Sequence, residues 1–394
     1  MTRPRRLLSL GHSYVVAVNR RLAHEMSRVG KGAWEVTVAA PMYFHGGNDL
    51  RPVSLEPLAD EPCPLVALPA HLTSRVHIFA YGKRLRSLLR NSWDLVHCWE
   101  EPYIFAGAQV AWWLPRGIPL VYRTAQSYSK RYPPPFNWLE RYALANASGW
   151  ICSGATVAKA LSSRQGYSNL PMCLIPLGVD LEAFFPDRTS RVGIRRELGW
   201  EEDGPPVVGY LGRFTPEKGL ELLMRVLDGL STPWRALFVG EGQLEGQLRS
   251  WGASHENRVR VCTGVRHAEV PRYLNALDVL CAPSQTTPRW REQFGRMLIE
   301  AFACGVPVIG SDSGEIPHVI GDAGLVAGET DEAVWRVTLA SLLNSPARRT
   351  DLAARGLDRA RQRYAWPIIA RQYLDFFDKV RDTATSRTIS SRTI

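Results

Sequence analysis

The sequence has no long apolar run, and this absence sets its first limits. No stretch of its 394 residues approaches the roughly 18 consecutive apolar residues that a membrane-spanning helix needs. The N-terminus is basic, but the apolar run after Arg6 covers only about four residues, too few for the core of a signal peptide. We therefore expect neither a transmembrane span nor a signal peptide.

Cysteine is also sparse. The seven cysteines are scattered, odd in number and never spaced as Cys-x-x-Cys, which predicts reduced thiols, a cytoplasmic protein and no zinc site. The sequence has no Asp-x-Asp for a metal that bridges a diphosphate, and no Gly-x-Gly-x-x-Gly follows a strand. Walker, Gly-x-Ser-x-Gly and His-Glu-x-x-His motifs are missing too. These absences argue against dehydrogenases, nucleoside triphosphatases, serine hydrolases and zinc peptidases.

Acidic residues are scarce in the first half of the chain. Residues 1–185 contain 20 Lys and Arg against 12 Asp and Glu, a net charge of +8 out of +10 for the whole chain. Such a basic half attracts nucleic acid, an anionic membrane surface or a phosphorylated lipid. No zinc finger, RRM or helix-turn-helix pattern supports nucleic acid. We therefore expect no nucleic-acid partner and keep an anionic membrane surface as a possible one.

The densest basic patch is segment 83–90, which reads Lys-Arg-Leu-Arg-Ser-Leu-Leu-Arg. At helical spacing its three leucines share one face, and the cations surround that face. Two interpretations are open. The helix lies in a membrane interface with its leucines in the acyl boundary, or it is an ordinary surface helix whose leucines cover the core of the protein.

Short apolar strands alternate with helical stretches along the chain, which is typical of parallel α/β sheets. The alternation breaks at 174–186, where one Gly and two Pro predict an inter-domain linker. We therefore predict two Rossmann-like, doubly wound α/β domains that face a central cleft at the carboxyl ends of their strands. The predicted ranges are 1–180 for the first domain, 187–365 for the second, 366–382 for a last helix and 383–394 for a disordered polar tail.

Two cations follow the first strand of the second half. In the run Gly209–Gly219 the strand ends near Leu211, and Arg213 and Lys218 lie in the loop before the next helix. Arg offers a bidentate fork and Lys a point charge, so the two can hold a diphosphate from two sides. A solvated loop that binds nothing is the alternative interpretation of this segment alone.

Two glutamates flank a helix start further along. Glu292 precedes Gly295, and Glu300 lies one turn into the following helix. Backbone N–H groups of Phe294, Gly295 and Arg296 attract phosphate there, whereas a carboxylate accepts hydroxyls. A sugar nucleotide carries both kinds of group. For Glu300 alone, a surface glutamate that makes helix contacts is the alternative.

A set of short motifs, specific only in combination and order, spans roughly residues 175–326. They are Ile175–Asp180 with Phe185-Pro186, Gly212–Phe214 through Lys218-Gly219, Val239–Gly242, Ala282–Ser284, Glu292–Val308, Gly314–Pro317 and Gly321–Val326. With them the chain resembles the retaining glycosyltransferases of family 4, which have the GT-B fold. The first half matches more loosely, at 96–103 and 139–141. The resemblance implies that the helix after Trp366 crosses back onto the first domain.

The resemblance also implies roles for the four charged side chains. Arg213 and Lys218 would hold the donor diphosphate and stabilise the leaving nucleotide in place of a metal. Glu292 would bond hydroxyls of the donor sugar, and Glu300 would hold the ribose. No cofactor and no metal are then expected, because the nucleotide sugar is a co-substrate.

Backbone groups complete the implied donor site. The N–H groups of Phe294 and Gly295, with Arg296 beside them, would assist Glu292. The nucleotide base would lie near Gly264–Arg266, with Gly264 and Arg266 as binding residues. Base contacts in this architecture are largely made by backbone, so the sequence does not name the base.

The first domain departs from the family pattern. Many members have His-x-His-Glu-Pro where this chain has His97-Cys-Trp-Glu-Glu-Pro, so Trp99 stands at the second His. Glu101 or its neighbour Glu100 could take over that contact, and His97 could also be only packing. With His12, in the loop after the first strand, His97 and Glu101 are the acceptor-side candidates.

The sequence thus predicts a cytoplasmic glycosyltransferase, peripheral on a membrane, that moves a sugar from a nucleotide sugar to a glycan or lipid-linked acceptor of the cell envelope. Exopolysaccharide and lipopolysaccharide synthesis are the expected settings. Three alternatives remain: a GT-B epimerase, a phosphorylase, for which we find no pyridoxal-phosphate lysine motif, and a non-catalytic subunit that binds a sugar nucleotide.

Overall fold

The structure is a computed structural model that describes residues 3–45 and 52–390. The described chain divides at Pro176 into two compact units. The first contains the residues up to Pro176 and those from Trp366 onward, and the second contains Leu177–Ala365. Each unit is built around its own parallel sheet.

The first unit contains eleven strands and five helices before Pro176. The strands are β1 (Arg5–Leu10), β2 (Trp34–Pro41), β3 (Tyr43–Phe44), β4 (Val53–Ser54), β5 (Leu65–Leu68), β6 (Ala70–His71), β7 (Ala80–Tyr81), β8 (Leu95–Cys98), β9 (Leu120–Thr124), β10 (Gly149–Cys152) and β11 (Met172–Leu174). The helices are α1 (Arg21–Val29), α2 (Arg84–Leu89), α3 (Phe105–Trp113), α4 (Phe136–Ala145) and α5 (Ala155–Ser162), and 3-10 turns cover His12–Val15 and Ala17–Arg20.

Seven of these strands form one parallel sheet in the order β11-β10-β9-β8-β1-β2-β5. The central strands are buried on both faces, as expected when helices cover both sides of a parallel sheet. In β1, Leu7 and Leu8 point to opposite faces and both are fully buried. Leu7 packs with α1, and Leu8 packs with residues of α2 to α5.

The second unit repeats this architecture. Its strands are β12 (Val207–Leu211), β13 (Arg235–Val239), β14 (Val259–Cys262), β15 (Val279–Ala282), β16 (Val308–Ser311) and β17 (Leu325–Ala327). Its helices are α6 (Arg188–Glu197), α7 (Leu220–Asp228), α8 (Glu245–Ala253), α9 (Val270–Asn275), α10 (Arg296–Ala303), α11 (Ile316–Ile320), α12 (Glu332–Leu343) and α13 (Pro346–Arg359), with 3-10 turns at Pro216–Lys218 and His267–Glu269 and a π-helical turn at Ala360–Tyr364.

The six strands of the second unit are all parallel, in the order β14-β13-β12-β15-β16-β17. Two hydrophobic clusters, one on each face of this sheet, form its core. The prediction of two doubly wound α/β units is therefore confirmed.

Two segments differ from the sequence-based expectation. The expected linker packs into the second unit, because Phe184 is buried in its core and Val179 forms a parallel β-bridge with Ala365. The last helix, α14 (Trp366–Ser390), continues eight residues beyond the predicted end at 382. The expected disordered tail is thus helical up to Ser390, and residues 391–394 lie outside the described part.

Helix α14 belongs to the first unit, where it packs against α1. Ile369, Tyr373 and Phe377, spaced four residues apart, are buried on one face of it. The phenyl ring of Phe377 contacts Trp34 and His97. The end of the chain therefore returns to the first unit, as the resemblance implied.

Candidate functional site

The strand order of the second sheet creates a crevice at one edge. The chain leaves β12 toward β13 on one side and later returns to place β15 on the other side. At such a switch point the loops after the two strands diverge, and ligands of doubly wound sheets bind there. Arg213 follows β12 at this point, and Ser284 follows β15.

A pocket of about 360 Å³ opens at this switch point. It brings together four predicted site side chains that are distant in sequence, and the start of α10. Its lining consists of Tyr210, Leu211, Gly212, Arg213, Lys218, Val239, Gly240, Val265, His267, Val270, Glu292, Gly295, Arg296, Met297 and Glu300.

Lys218 is fixed by the turn that carries it. It ends the 3-10 turn Pro216–Lys218, and Gly219 follows with a φ of 70°. A Cβ at Gly219 would lie 1.9 Å from the carbonyl oxygen of Pro283, so only glycine fits between this turn and the loop after β15. With the two loops packed this closely, Lys218 lies in the pocket with only 8% of its surface exposed.

Glu292 forms an ion pair with Lys218. Oε2 of Glu292 lies 2.6 Å from Nζ of Lys218 and accepts a second hydrogen bond from Oγ of Ser284 at 3.1 Å. Its carbonyl oxygen accepts from the amide of Glu315 at 3.0 Å, which holds the backbone as well. In the described part of the chain no group bonds Oε1 of Glu292, so this oxygen is available to a ligand hydroxyl.

Helix α10 begins beside Glu292. Its N-cap Gly295 has a φ of 80°, the left-handed region that glycine tolerates best. The helix directs its free N–H groups and partial positive charge into the pocket. Arg296 is exposed at the pocket wall. The side chain of Phe294 is buried against Tyr364, so only its backbone is a candidate for binding.

Glu300 faces the same pocket from the second turn of α10. It is 7% exposed, and its Oε1 lies 3.3 Å from Nε2 of His267. This imidazole approaches from the loop after β14 and is about half exposed. Glu300, His267 and Arg213 all belong to the lining of this pocket.

Arg213 contributes an exposed positive charge to the pocket. Arg213 is 65% exposed and lies 3.7 Å from Glu217, so it is only weakly paired. Its carbonyl oxygen accepts from the buried hydroxyl of Tyr210 at 2.8 Å. Burial raises the pKa of Tyr210, which keeps this donor protonated. Three cations and two carboxylates line the pocket, a net charge of +1 that favours an anion.

Two sequence-family models match the chain. The family described as "Glycosyl transferases group 1" matches residues 194–359, which contain the whole pocket. The family described as "Glycosyltransferase Family 4" matches residues 15–183 of the first unit. Both models describe glycosyltransferases, and the two matches lie mainly in different units of the chain.

Individual relatives agree with this assignment. A D-inositol 3-phosphate glycosyltransferase of Xylanimonas cellulosilytica is 29% identical over 252 residues, 60% of this chain and 58% of the relative. A GDP-mannose-dependent monoacylated alpha-(1-6)-phosphatidylinositol monomannoside mannosyltransferase of Corynebacterium glutamicum is 29% identical over 205 residues, 50% of this chain and 54% of the relative. The chain thus spans less than two thirds of the length of these relatives.

Solved structures support the fold. Anabaena HepE, in complex with UDP and glucose, has a TM-score of 0.70 at 18% identity, covering 95% of this chain and 100% of that chain. This likeness confirms the predicted GT-B class of two Rossmann-like domains.

The two predicted base-binding residues, Gly264 and Arg266, are bonded to neighbouring glutamates. The amide of Gly264 donates to Oε1 of Glu241 at 2.9 Å, and Arg266 pairs with Glu269 at 3.0 Å. Neither belongs to the pocket lining, whereas the neighbours Val265 and His267 do. The segment therefore borders the pocket through Val265 and His267, and base binding by Gly264 and Arg266 stays a prediction.

Among the acceptor-side candidates of the first unit, His12 is engaged with Glu100. Its Nδ1 lies 2.5 Å from Oε2, and its amide donates to Oε1 at 2.6 Å. Burial lowers the pKa of His12, but the charge of Glu100 and the hydrogen bond to it outweigh burial, and the pKa is raised. The imidazole is 29% exposed, so its acceptor role stays a prediction.

His97 and Glu101 have structural surroundings instead. His97 is fully buried, with Nδ1 3.0 Å from Oγ of Ser9 and its ring against Tyr373 and Phe377. Burial, with the nearby positive charge of Arg123, lowers its pKa to about 3, so the ring is neutral. Its position fits packing and does not fit an acceptor contact.

Glu101 fixes the loop after β9. It accepts from Oγ1 of Thr124 at 2.6 Å, from the amide of Ala125 at 2.8 Å and from Nε2 of Gln126 at 3.0 Å. A carboxylate with three protein donors is held in place, so Glu101 shapes this loop more readily than it binds a ligand.

The basic segment 83–90 forms α2 and its ends. Leu85 and Leu89 are fully buried in the first core, while Lys83, Arg84, Arg86 and Arg90 are exposed. The leucines are therefore occupied by the core, which favours the surface-helix interpretation. In the described residues, no helix is both long and apolar enough to cross a membrane.

Three pocket contacts escaped the sequence reasoning. Ser284 bonds Glu292, His267 bonds Glu300, and the indole ring of Trp290 lies 4.6 Å from Nζ of Lys218. Ser284, His267 and Trp290 each lie in or beside a predicted segment, but their spacing in the sequence does not predict which residue each one contacts. A signal for Trp290 was its place between two arginines directly before Glu292.

Proposed function

We propose that the protein transfers a sugar from a nucleotide-sugar donor to a glycan or lipid-linked acceptor, with retention of anomeric configuration. The observation that carries the proposal is the pocket of the second unit, where Arg213, Lys218, Glu292 and Glu300 meet at a switch point and a helix start. A nucleotide sugar has the complementary groups, a diphosphate and hydroxyls on both sugar and ribose.

The relatives support this class of donor. One of them is named as GDP-mannose-dependent, and HepE was solved with UDP and glucose. The two cases differ in base and sugar, so we propose the class and leave the base to experiment.

In the proposed reaction, the bond between the sugar anomeric carbon and the leaving phosphate oxygen breaks. The acceptor oxygen bonds the same carbon from the same face, and the acceptor proton passes to the departing phosphate oxygen. No protein nucleophile is then required. Arg213 and Lys218 stabilise the charge that develops on the phosphate, a contribution of roughly 3 kcal/mol for each contact, by analogy with oxyanion donors.

Donor binding must also rearrange the pair of Lys218 and Glu292. Lys218 neutralises Glu292, with Nζ and Oε2 2.6 Å apart. A diphosphate that draws Nζ toward it frees the carboxylate, which then accepts sugar hydroxyls. One exchange of partners thus couples recognition of the phosphate to recognition of the sugar.

Fixed cations replace a metal in this proposal. Among residues 3–45 and 52–390, no three His, Cys, Asp or Glu side chains form a group that could hold a metal ion. The expected result is turnover that survives dialysis against EDTA. Turnover that is lost in EDTA and restored by Mg²⁺ would contradict a metal-independent reaction.

Donor turnover tests the function. The protein is incubated with UDP-, GDP- and ADP-sugars and candidate acceptors, and release of nucleoside diphosphate is followed. One donor class should be consumed by the native protein, and Glu292→Gln should slow its consumption at least a hundredfold. Turnover unchanged by Glu292→Gln sinks the catalytic assignment. Tight nucleotide binding with no turnover would instead favour a non-catalytic subunit, and an epimerised donor would favour an epimerase.

For the acceptor we propose a cell-envelope glycan or lipid-linked precursor, handled at the cytoplasmic membrane surface. The support is the net charge of +8 in residues 1–185 and the exposed cations of segment 83–90. The attraction is then electrostatic and sensitive to salt, without insertion of leucines.

Vesicle binding tests this part separately. Replacing the four exposed cations of segment 83–90 by Ser should reduce binding to vesicles with about 30% anionic lipid by several hundredfold, as roughly 1 kcal/mol for each of the four cations implies. A matched control replaces four exposed cations of the second unit, Arg348, Arg355, Arg361 and Arg363. Equal losses in the two variants would show that only total charge matters.

A further inference from the structure

A buried guanidinium without a carboxylate partner lies in the first unit. Arg123, the fourth residue of β9, is only 9% exposed. Within residues 3–45 and 52–390, no Asp or Glu forms an ion pair with it, and its buried Nε has no hydrogen-bond acceptor. Buried charges in proteins are ordinarily paired, so this one calls for an explanation.

The neighbours of Arg123 hold it without neutralising it. Its guanidinium carbon lies 4.1 Å from the ring centroid of Trp99, which makes a cation–π contact. Burial raises the pKa values of Tyr14 and Tyr373, and it lowers the pKa of His97 to about 3. The aromatic wall around the guanidinium is therefore uncharged at neutral pH.

The two acidic residues of the neighbouring loop are engaged elsewhere. Glu100 bonds His12 and the hydroxyl of Tyr81, and Glu101 bonds the backbone and side chains that follow β9. In the part of the chain that the structure describes, the positive charge of Arg123 therefore has no carboxylate in contact with it. This contrasts with Arg195 of the second unit, which is also buried, at 2% exposed, but pairs with Asp278 at 2.7 Å.

The location of Arg123 is one where ligands bind. The first sheet has its own switch point between β1 and β8, because the chain places β2 on one side of β1 and β8 on the other. Trp99 follows β8 at that point, and Arg123 lies on β9, the next strand of the sheet. Both residues thus stand at the carboxyl ends of strands beside the crevice.

We propose that Arg123, held in plane by Trp99, binds an oxyanion, a phosphate or a carboxylate, of a substrate. A guanidinium presents parallel N–H groups that match either oxyanion in a bidentate way. Trp99 covers one face of the guanidinium and the side chain of Tyr373 bonds it, so its remaining N–H groups are the ones offered to the ligand. That the oxyanion belongs to a glycosyl donor or acceptor rests on the proposed function, whereas the site itself does not.

A titration that reports only on this site tests the proposal. The protein is labelled with ¹⁵N at its indole groups, and the Trp99 signal is identified by its loss in Trp99→Phe. Inorganic phosphate and acetate are then added separately at constant ionic strength, with sodium chloride as the control titration. Because the signal comes from Trp99, anion binding to the pocket of the second unit does not interfere.

In the native protein the Trp99 signal should shift saturably with phosphate or acetate and not with chloride. A lower half-saturation concentration for phosphate marks a phosphate site, and a lower one for acetate marks a carboxylate site. Arg123→Gln should raise the half-saturation concentration at least tenfold. The matched control Arg116→Gln removes an exposed arginine at the other end of β9 and should leave it unchanged.

Three results would overturn the proposal: no shift with either anion, the same shift with chloride, or an Arg123→Gln variant that binds like the native protein. If Arg123→Gln does not fold, Arg123→Lys keeps the charge and loses the fork, and its half-saturation should rise several-fold. No donor or acceptor is present, so the result is independent of donor turnover. A protein that binds phosphate here and turns over no donor would refute the proposed function alone.

Discussion

Replacing Lys218 by Met tests whether the donor pocket is assembled before a ligand arrives. The substitution keeps the length of the side chain and removes its charge, so Glu292 loses its partner at 2.6 Å. At an effective dielectric constant of about 20, two unit charges at this distance attract by roughly 6 kcal/mol. Desolvation of the pair cancels part of this attraction.

What decides the net cost is burial. The side chains of Lys218 and Glu292 are only 11% and 9% exposed, so the lone carboxylate cannot regain its full hydration. Removing one partner of a buried pair costs about 3–5 kcal/mol. The bond from Ser284 to the same carboxylate lowers this cost, and we expect a loss near 3 kcal/mol in the free energy of unfolding of the second unit.

Unfolding in urea is monitored by hydrogen exchange in peptides of the second unit. Peptides of one unit are used because a chain of two units need not unfold in one step. The matched control is Arg225→Met, which breaks the pair of Arg225 and Glu332 at 3.0 Å, with side chains 57% and 33% exposed. Such a pair contributes about 0–1 kcal/mol. A Lys218→Met loss no larger than the Arg225→Met loss would refute the preassembled pocket.

Three further predictions concern single residues. Glu300→Gln should raise the KM for the donor about tenfold with little change in kcat, as expected for loss of one charged hydrogen bond to the ribose, and donor kinetics with an equal fall in kcat would contradict it. Burial lowers the pKa of His97 to about 3, whereas a histidine in the unfolded chain takes up a proton below about pH 6.5. The contribution of neutral His97 to the stability of the first unit should therefore be fully present above about pH 6.5 and be lost as the pH falls toward 3. In acid unfolding, His97→Phe should lack this dependence on pH. Gly295→Ala should destabilise the second unit by about 1–2 kcal/mol in urea unfolding because of its φ of 80°, whereas Gly193→Ala, within α6 and in open space, should be neutral or stabilising.

The buried strands were predictable, because continuous apolar runs between turns leave few other solutions. Strand β1 is such a case, because its residues 7–10 are all fully buried. Strand β5 is harder to recognise, because it is a short edge strand between Pro64 and Pro69. Helix α6 is also hard to recognise, because its buried face includes Arg195, whose charge is compensated by Asp278 from a distant segment.

The candidate site, like the fold, was predictable only in part. Motif order predicted the residues of the pocket, and the switch point of the sheet explains why they meet. Lys218 and Glu292 are 74 positions apart, and nothing in either local sequence states that they touch. Likewise, the packing of His97 against α14 depends on a helix that follows some 270 residues later. Such contacts are set by tertiary packing, which local spacing does not encode.

The central claim is that the pocket of the second unit transfers a sugar from a nucleotide donor with retention. Proton NMR of one reaction, started with an α-linked nucleotide sugar and acceptor, follows donor and product anomeric signals together. The account predicts that the donor signal disappears, that the product has the α configuration, and that Glu292→Gln leaves the donor intact over the same time. A β-configured product, or equal consumption of donor by Glu292→Gln, would contradict it.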